Sequence, residues 1–225
     1  AWGESFETKQ PQEVLAAAIE RYSPKIVLAC SFGAEDVVLL DMVHRIDPSV
    51  PLFYLDTEFL FPETYATRDR VIERYGLQPQ QVMQVKSLLT PEQQAAQHGE
   101  ALWARQPDQC CDLRKVEPLT RVLKGFDAWI TGIRRDQAPT RANVKLIEWD
   151  QRFQLAKLYP LAKWTWQDVW TYIRVYEVPY NEMHDRNYPS IGCTYCTSPV
   201  MPGEDPRAGR WKNFTKTECG LHKAS

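Results

Sequence analysis

Six cysteines are the residues of this chain best suited to chemistry: Cys30, Cys110, Cys111, Cys193, Cys196 and Cys219. Adjacent cysteines such as Cys110 and Cys111 rarely bridge each other, because the closed ring strains the peptide between them. With the CxxC of Cys193-Thr194-Tyr195-Cys196 they make four soft ligands drawn from two distant segments. Four thiolates suit either tetrahedral zinc or an iron–sulfur cluster. Zinc sites usually use two spaced knuckles, so the adjacent pair leans toward iron–sulfur, while spacing alone leaves both metals open. Cys219 stands apart in Glu218-Cys219-Gly220-Leu221-His222, behind a stretch carrying Arg207, Arg210, Lys212 and Lys216. A thiol near Lys216 and His222 on an exposed, mobile segment is expected to have a lowered pKa and to be reactive. Cys30 ends an apolar strand and reads as a small buried hydrophobe. His44, His98 and His184 show no ligand spacing and read as surface or core residues.

The elements that must position these groups alternate. Residues 11–22 pattern as an amphipathic helix with Pro11 at its first position. Ile26 to Cys30 and Pro51 to Leu55 are short apolar runs, read as buried parallel strands, with Val82 to Val85 and Ala128 to Thr131 as further strand candidates. Helical patterns follow at Val37 to Arg45 and Pro62 to Tyr75, and Thr165 with Asp168 resembles a capping box opening another helix. Strand and helix in turn predict a parallel α/β sheet. The loop Ser31-Phe32-Gly33-Ala34-Glu35-Asp36, between a strand and a helix N-terminus, is a natural seat for an anion or nucleotide. Glu35 is expected to put a carboxylate where a pyrophosphate would sit, which suits a less phosphorylated nucleotide. From about Arg186 hydrophobic periodicity fades, and the flanking cysteines point to a functional segment folding over a site.

At 225 residues, with 44% hydrophobic and 25% charged residues, the chain reads as a single domain, 1–225, with a C-terminal catalytic segment at about 203–225. A net charge of −2 argues against a nucleic-acid binder. No apolar run approaches the roughly 18 residues of a membrane helix, and the polar N-terminus does not read as a secretory signal. A cytoplasmic protein is expected, and a homo-oligomer is compatible with the composition.

The segments CSFGAEDVVLLD, YLDTEFLFPETY, CCDLRKVEPL, WITGIRRDQAPTR, PLAKWTWQDVW, YPSIGCTYCT and KTECGLH carry a resemblance covering nearly the whole chain. The sequence is similar to the assimilatory adenylyl-sulfate reductases, cousins of the phosphoadenylyl-sulfate reductases, and to the branch of that family that bears an iron–sulfur cluster. The resemblance implies an adenine nucleotide α-hydrolase-like fold related to the PP-loop enzymes, with helices on both faces of the sheet and a tail folding over the site. It implies one [4Fe–4S] cluster on Cys110, Cys111, Cys193 and Cys196, with Cys219 as nucleophile. Lys115 matches a lysine between cluster and substrate. Arg134, Arg141, Arg207, Arg210 and His222 match positions gathering positive charge around the phosphosulfate, with Ser31 in the nucleotide loop. Leu55 and Gly132 match positions that hold adenine through backbone groups. The implied reaction reduces adenosine 5′-phosphosulfate (APS) to sulfite and AMP through a cysteine S-sulfonate, in sulfate assimilation, with thioredoxin or glutaredoxin as reductant.

Many members read DTG where this chain has Asp56-Thr57-Glu58, so the 3′-phosphorylated substrate (PAPS), alone or beside APS, is the alternative. A carboxylate from Glu58 near the ribose is expected to repel a 3′-phosphate. Two non-enzyme alternatives are a zinc-stabilised nucleotide-binding module and a metal-bound redox sensor.

Overall fold

The computed structural model describes residues 3–222. Its strands are β1 (Ile26–Ala29), β2 (Leu52–Asp56), β3 (Val82–Lys86), β4 (Ala128–Ile130), β5 (Ile147–Asp150) and β6 (Leu155–Leu158). They form one sheet in the order β3-β2-β1-β4-β6-β5. The first four and β6 run parallel, while β5 pairs antiparallel with β6 at the edge. The expectation of a parallel sheet is therefore corrected at that edge.

Period-two alternation sorts the strand residues between two cores. Ile26, Leu28, Leu52, Tyr54, Ala128, Ile130, Ala156 and Leu158 point into one core, and Val27, Phe53, Trp129 and Leu155 into the other. Because both faces are buried, the strands read as continuous apolar runs. Helices α1 (Pro11–Tyr22), α2 (Ala34–Ile46) and α3 (Pro62–Tyr75) follow the predicted patterns closely, and α2 begins three residues earlier than its periodicity suggested. After the short α4 (Pro91–His98), α5 (Leu102–Arg105) and α6 (Pro107–Cys111) come α7 (Glu117–Leu123) and α8 (Trp166–Tyr176). Thr165 caps α8 as expected, accepting from the Asp168 N–H at 3.2 Å while the Asp168 carboxylate accepts from the Thr165 N–H at 2.8 Å.

The helices reach the sheet through apolar stripes. Val14, Leu15, Ala18 and Ile19 of α1, Val37 to Val43 of α2 and Val169 and Ile173 of α8 pack on the first face. Leu119 and Leu123 of α7 pack on the second, where Leu221 of the C-terminal segment joins them. Buried Asp41 ties three helices together, accepting from Arg45 Nε at 2.6 Å, Tyr172 Oη at 2.7 Å and Tyr75 Oη at 2.9 Å. A carboxylate can be buried there because several donors replace its water.

Candidate functional site

In an open α/β sheet, ligands bind beyond the carboxyl ends of the strands where the strand order reverses. Here that point lies between β1 and β4, neighbours in the sheet although β2 and β3 separate them in sequence. The loops leaving these two strands frame a cavity of about 340 Å³. All ten residues expected to serve substrate or catalysis line it: Ser31, Leu55, Lys115, Gly132, Arg134, Arg141, Arg207, Arg210, Cys219 and His222.

The β1–α2 loop is closed to a pyrophosphate, though by Asp36 and not by Glu35. Asp36 Oδ2 accepts from the Ser31 N–H at 2.6 Å and from Ser31 Oγ at 2.5 Å, filling the seat from within. Burial raises its pKa from 3.8 to about 6 against the pull of these bonds and of one from the Gly132 N–H. Glu35 turns away, accepting from Arg134 Nε at 2.9 Å and Gln137 Nε2 at 2.8 Å. Gly132 must be glycine because a Cβ there would lie 2.8 Å from that of Glu35. Arg134 lines the cavity but is committed to Glu35, Asp136 and the Trp164 carbonyl, so it braces the loop.

The opposite wall is cationic. Lys115, Arg141, Arg207 and Arg210 meet Cys219 there, the last three residues of this group coming from the tail. The tail is pinned by an antiparallel bridge between Thr197 and Arg210, by buried Trp211, and by Arg152 Nη1 donating to the Gly220 carbonyl at 3.0 Å. Glu218 accepts from Arg141 Nε at 2.9 Å and Nη2 at 2.8 Å, and from Arg207 Nη2 at 3.2 Å. Arg210 donates to Ser190 Oγ at 3.1 Å and lies over the Trp211 ring, leaving its buried Nε without a partner among the described residues.

Cys219 is half-buried in the cavity wall, not exposed as its sequence context suggested. Burial pushes its thiol up, but the Lys115 ammonium, the Leu221 N–H and the Arg210 guanidinium outweigh it and lower the pKa below the usual 9.0. The lowering cations are thus Lys115 and Arg210; Lys216 instead pairs with Asp108 and lies over Trp211. Nor is His222 a cation. Burial, with Lys157 and Arg141 nearby, holds it neutral, stacked on Trp129 at 5.6 Å.

The other cysteines gather behind this wall. Cys110 and Cys111 end α6, and a π-helical turn, Asp112–Val116, joins it to α7. Such a turn inserts a residue into the helical count and re-aims side chains, here Arg114 and Lys115 beside the thiols. Thr194 N–H donates to the Phe59 carbonyl at 2.8 Å, Leu60 bridges to Cys193, and Cys193 Sγ lies 3.2 Å from Thr57 Oγ1. The β2–α3 loop therefore holds the CxxC segment in place.

Burial raises the Cys110 thiol to about 11, helped by Cys193 and Cys196, and the Cys111 thiol to about 12, countered by Lys115 and helped by Cys219 and Cys193. All are free thiols. Among the described residues, no three His, Cys, Asp or Glu side chains close on one point as ligands of a single ion would. Cys30 is buried, as expected.

Glu58 does not face the cavity. Its carboxylate pairs with the buried Arg114 at 3.0 Å and with Lys86 at 3.3 Å, which removes the expected repulsion of a 3′-phosphate. Its φ is +60°, a left-handed value that glycine adopts freely, and the two ion pairs hold a glutamate there instead.

Residues 25–199 match the family described as the phosphoadenosine phosphosulfate reductase domain. The chain belongs to this family. Its relatives include the adenosine 5′-phosphosulfate reductases of Halalkalibacterium halodurans, 50% identical over 98% of this chain and 94% of theirs, and of Geobacillus kaustophilus, 49% identical over 97% and 92%. A crystal structure of phosphoadenylyl-sulfate reductase from Candida auris, in complex with phosphate, superposes with a TM-score of 0.76 at 33% identity, covering 88% of this chain and 94% of that one. FMN adenylyltransferase of Candida glabrata, at 17% identity and a TM-score of 0.61, covering 88% of this chain and 65% of that one, shares the fold alone. The protein is thus an oxidoreductase of the phosphosulfate reductase family, acting on sulfur groups.

The cavity is also lined by residues that the sequence did not single out. Phe32, at φ +59°, and Trp166 and His184 line the nucleotide side, while Trp129 and Glu218 line the tail side. Glu218 stood next to Cys219 in the sequence, and its link to Arg141 spans 77 residues that no local pattern reports.

Proposed function

We propose that the protein reduces adenosine 5′-phosphosulfate to sulfite and AMP. The observation that carries this reading is the meeting of one lowered-pKa thiol, Cys219, with Lys115, Arg141, Arg207 and Arg210 in a cavity at the nucleotide end of the sheet. Backbone groups at Leu55 and Gly132 would hold the adenine, and the cations would hold the phosphosulfate by charge-assisted hydrogen bonds of about 1.5–3 kcal/mol each. The Cys219 thiolate attacks sulfur, the sulfur–oxygen bond to phosphate breaks, and AMP leaves with the electron pair. Lys115 and the arginines neutralise the charge developing on AMP. One thiolate of an external dithiol then attacks Cys219-bound sulfonate at the cysteine sulfur, and sulfite leaves with the electron pair. The dithiol's second thiolate frees Cys219 and leaves the reductant as a disulfide. Thioredoxin or glutaredoxin fits that role, because the other cysteines are buried or held behind the wall.

Cys110, Cys111, Cys193 and Cys196 are the residues that would hold a [4Fe–4S] cluster. Their fit rests on chemistry seen here: four thiols held within electrostatic reach of one another, with burial making Cys110, Cys111 and Cys196 reluctant to ionise. When bound, the cluster supplies structural and electrostatic support. Lys115 stands between the two sets of sulfurs. Burial opposes its charge, yet Cys193, Cys219 and Cys111 raise its pKa above the usual lysine value.

Preference for APS over PAPS is supported by the higher identity to proteins named for APS, about 50% against 33%. A sulfite-release assay with both nucleotides and thioredoxin tests the reading. Faster turnover of APS is expected, comparable specificity constants remove the preference, and no sulfite from either removes the activity.

A further inference from the structure

Among the described residues Glu218 is the acid seated in the cationic wall, and its geometry is that of a ligand. Both oxygens engage Arg141, at 2.9 and 2.8 Å, in the two-pronged arrangement that guanidinium makes equally well with a phosphate. Arg207 adds a third bond at 3.2 Å, and Thr140 Oγ1 donates a fourth at 3.3 Å. The carboxylate is 18% exposed, lines the cavity and immediately precedes the nucleophile. Lys115 and Arg210, by contrast, have no carboxylate partner among the described residues.

We infer that Glu218 is an internal occupant of the substrate's anion seat, which the phosphosulfate displaces from Arg141 and Arg207 when it binds and which returns when AMP leaves. This rests on the reading of the cavity as a nucleotide phosphosulfate site. The seat is thus never empty: the half-buried arginines keep a partner in the free enzyme, and affinity for the anion is set by a competition. Glu218 is on this account a positioning residue that sets substrate affinity, and its return favours product release.

The test compares wild-type and Glu218→Gln holoenzyme by calorimetric titration with AMP and with adenosine. Glutamine keeps the size and one acceptor but not the charge. AMP is expected to bind about tenfold more tightly to the variant, the size of one pK unit of interaction between neighbouring charges, with the KM for APS falling and kcat not rising. Adenosine, lacking the anion, should bind both proteins equally. A residue that merely held the tail or oriented the arginines would move AMP affinity the other way, so unchanged or weaker AMP binding overturns the inference, as does an equal gain for adenosine. The gain should vanish in an Arg141→Gln background, since Glu218 acts through that arginine. A gain that persisted there would mean simple repulsion through space and would also overturn it. If wild-type protein bound neither AMP nor adenosine, the nucleotide reading itself would fall, and the inference with it.

Discussion

The sheet half and the C-terminal segment of this molecule are built on different principles. Around β1, β2 and β4, two apolar cores fix every strand from both faces, and the loops at their ends inherit that rigidity. From about Asn187 onward, few apolar side chains are buried among the described residues, chiefly Cys193 and Trp211 with Leu221 partly buried, and position comes from ion pairs and isolated hydrogen bonds. Low apolar burial means low local stability, and segments that must move in function come from that end of the range. On the proposed reading, the part that would recognise a nucleotide is fixed, and the part that carries the proposed nucleophile is held by contacts a substrate can exchange.

If that contrast is right, substitutions should separate fold from chemistry. The largest effect is expected where the two halves meet. Cys111→Ser should lose iron, visible absorbance and sulfite release together, and a variant keeping full iron and normal turnover would break the assignment of the four thiols. Within the scaffold, Leu28→Ala on β1 should cost about 2–5 kcal/mol in urea unfolding, because Leu28 is 1% exposed between packed layers. In the tail, Arg210→Ala should leave the unfolding midpoint nearly unchanged yet slow the reaction by roughly thirty- to two-hundredfold, the loss of one charge-assisted contact of about 2–3 kcal/mol. Unaltered single-turnover rates would show that the tail cations do not meet the anion.

The last effect is a matter of pH. Asp36 has a folded pKa near 6, above its ordinary 3.8, so the folded state holds that proton more tightly than the unfolded chain. Stability from this group is therefore present at low pH and falls as pH rises through the interval between the two values, remaining lower above it. Asp36→Asn should gain about 2–3 kcal/mol more at pH near 8 than near pH 4. Denaturant titrations at the two pH values check this, and an equal gain at both would assign the effect to something other than ionisation.

The legible parts of the fold were those specified locally. Pro62 at a helix start, the Thr165–Asp168 box and the apolar runs of β1 and β2 each declare themselves within a few residues. Strands β5 and β6 were not legible, because Lys157 interrupts the apolar run of Leu155–Leu158. Only the fold reveals its compensation, a buried pair with Asp150 at 3.4 Å and the face of Trp129 at 4.8 Å. The same holds in the site. The ten expected lining residues converge because the resemblance carried them, but their charge states depended on long-range partners. Asp36 took the seat expected of Glu35, which pairs with Arg134 instead, Glu58 turned to Arg114, and His222 lost its charge to burial.

The central claim is that Cys219 itself breaks the sulfur–oxygen bond. Intact-mass and peptide mass spectrometry of the holoenzyme, incubated with APS and no reductant, tests it most directly. The account predicts one AMP released per site and one sulfonate on the peptide containing Glu218-Cys219-Gly220, discharged as sulfite on adding thioredoxin. Undiminished AMP release from Cys219→Ser, with no adduct on that peptide in the wild type, would contradict it.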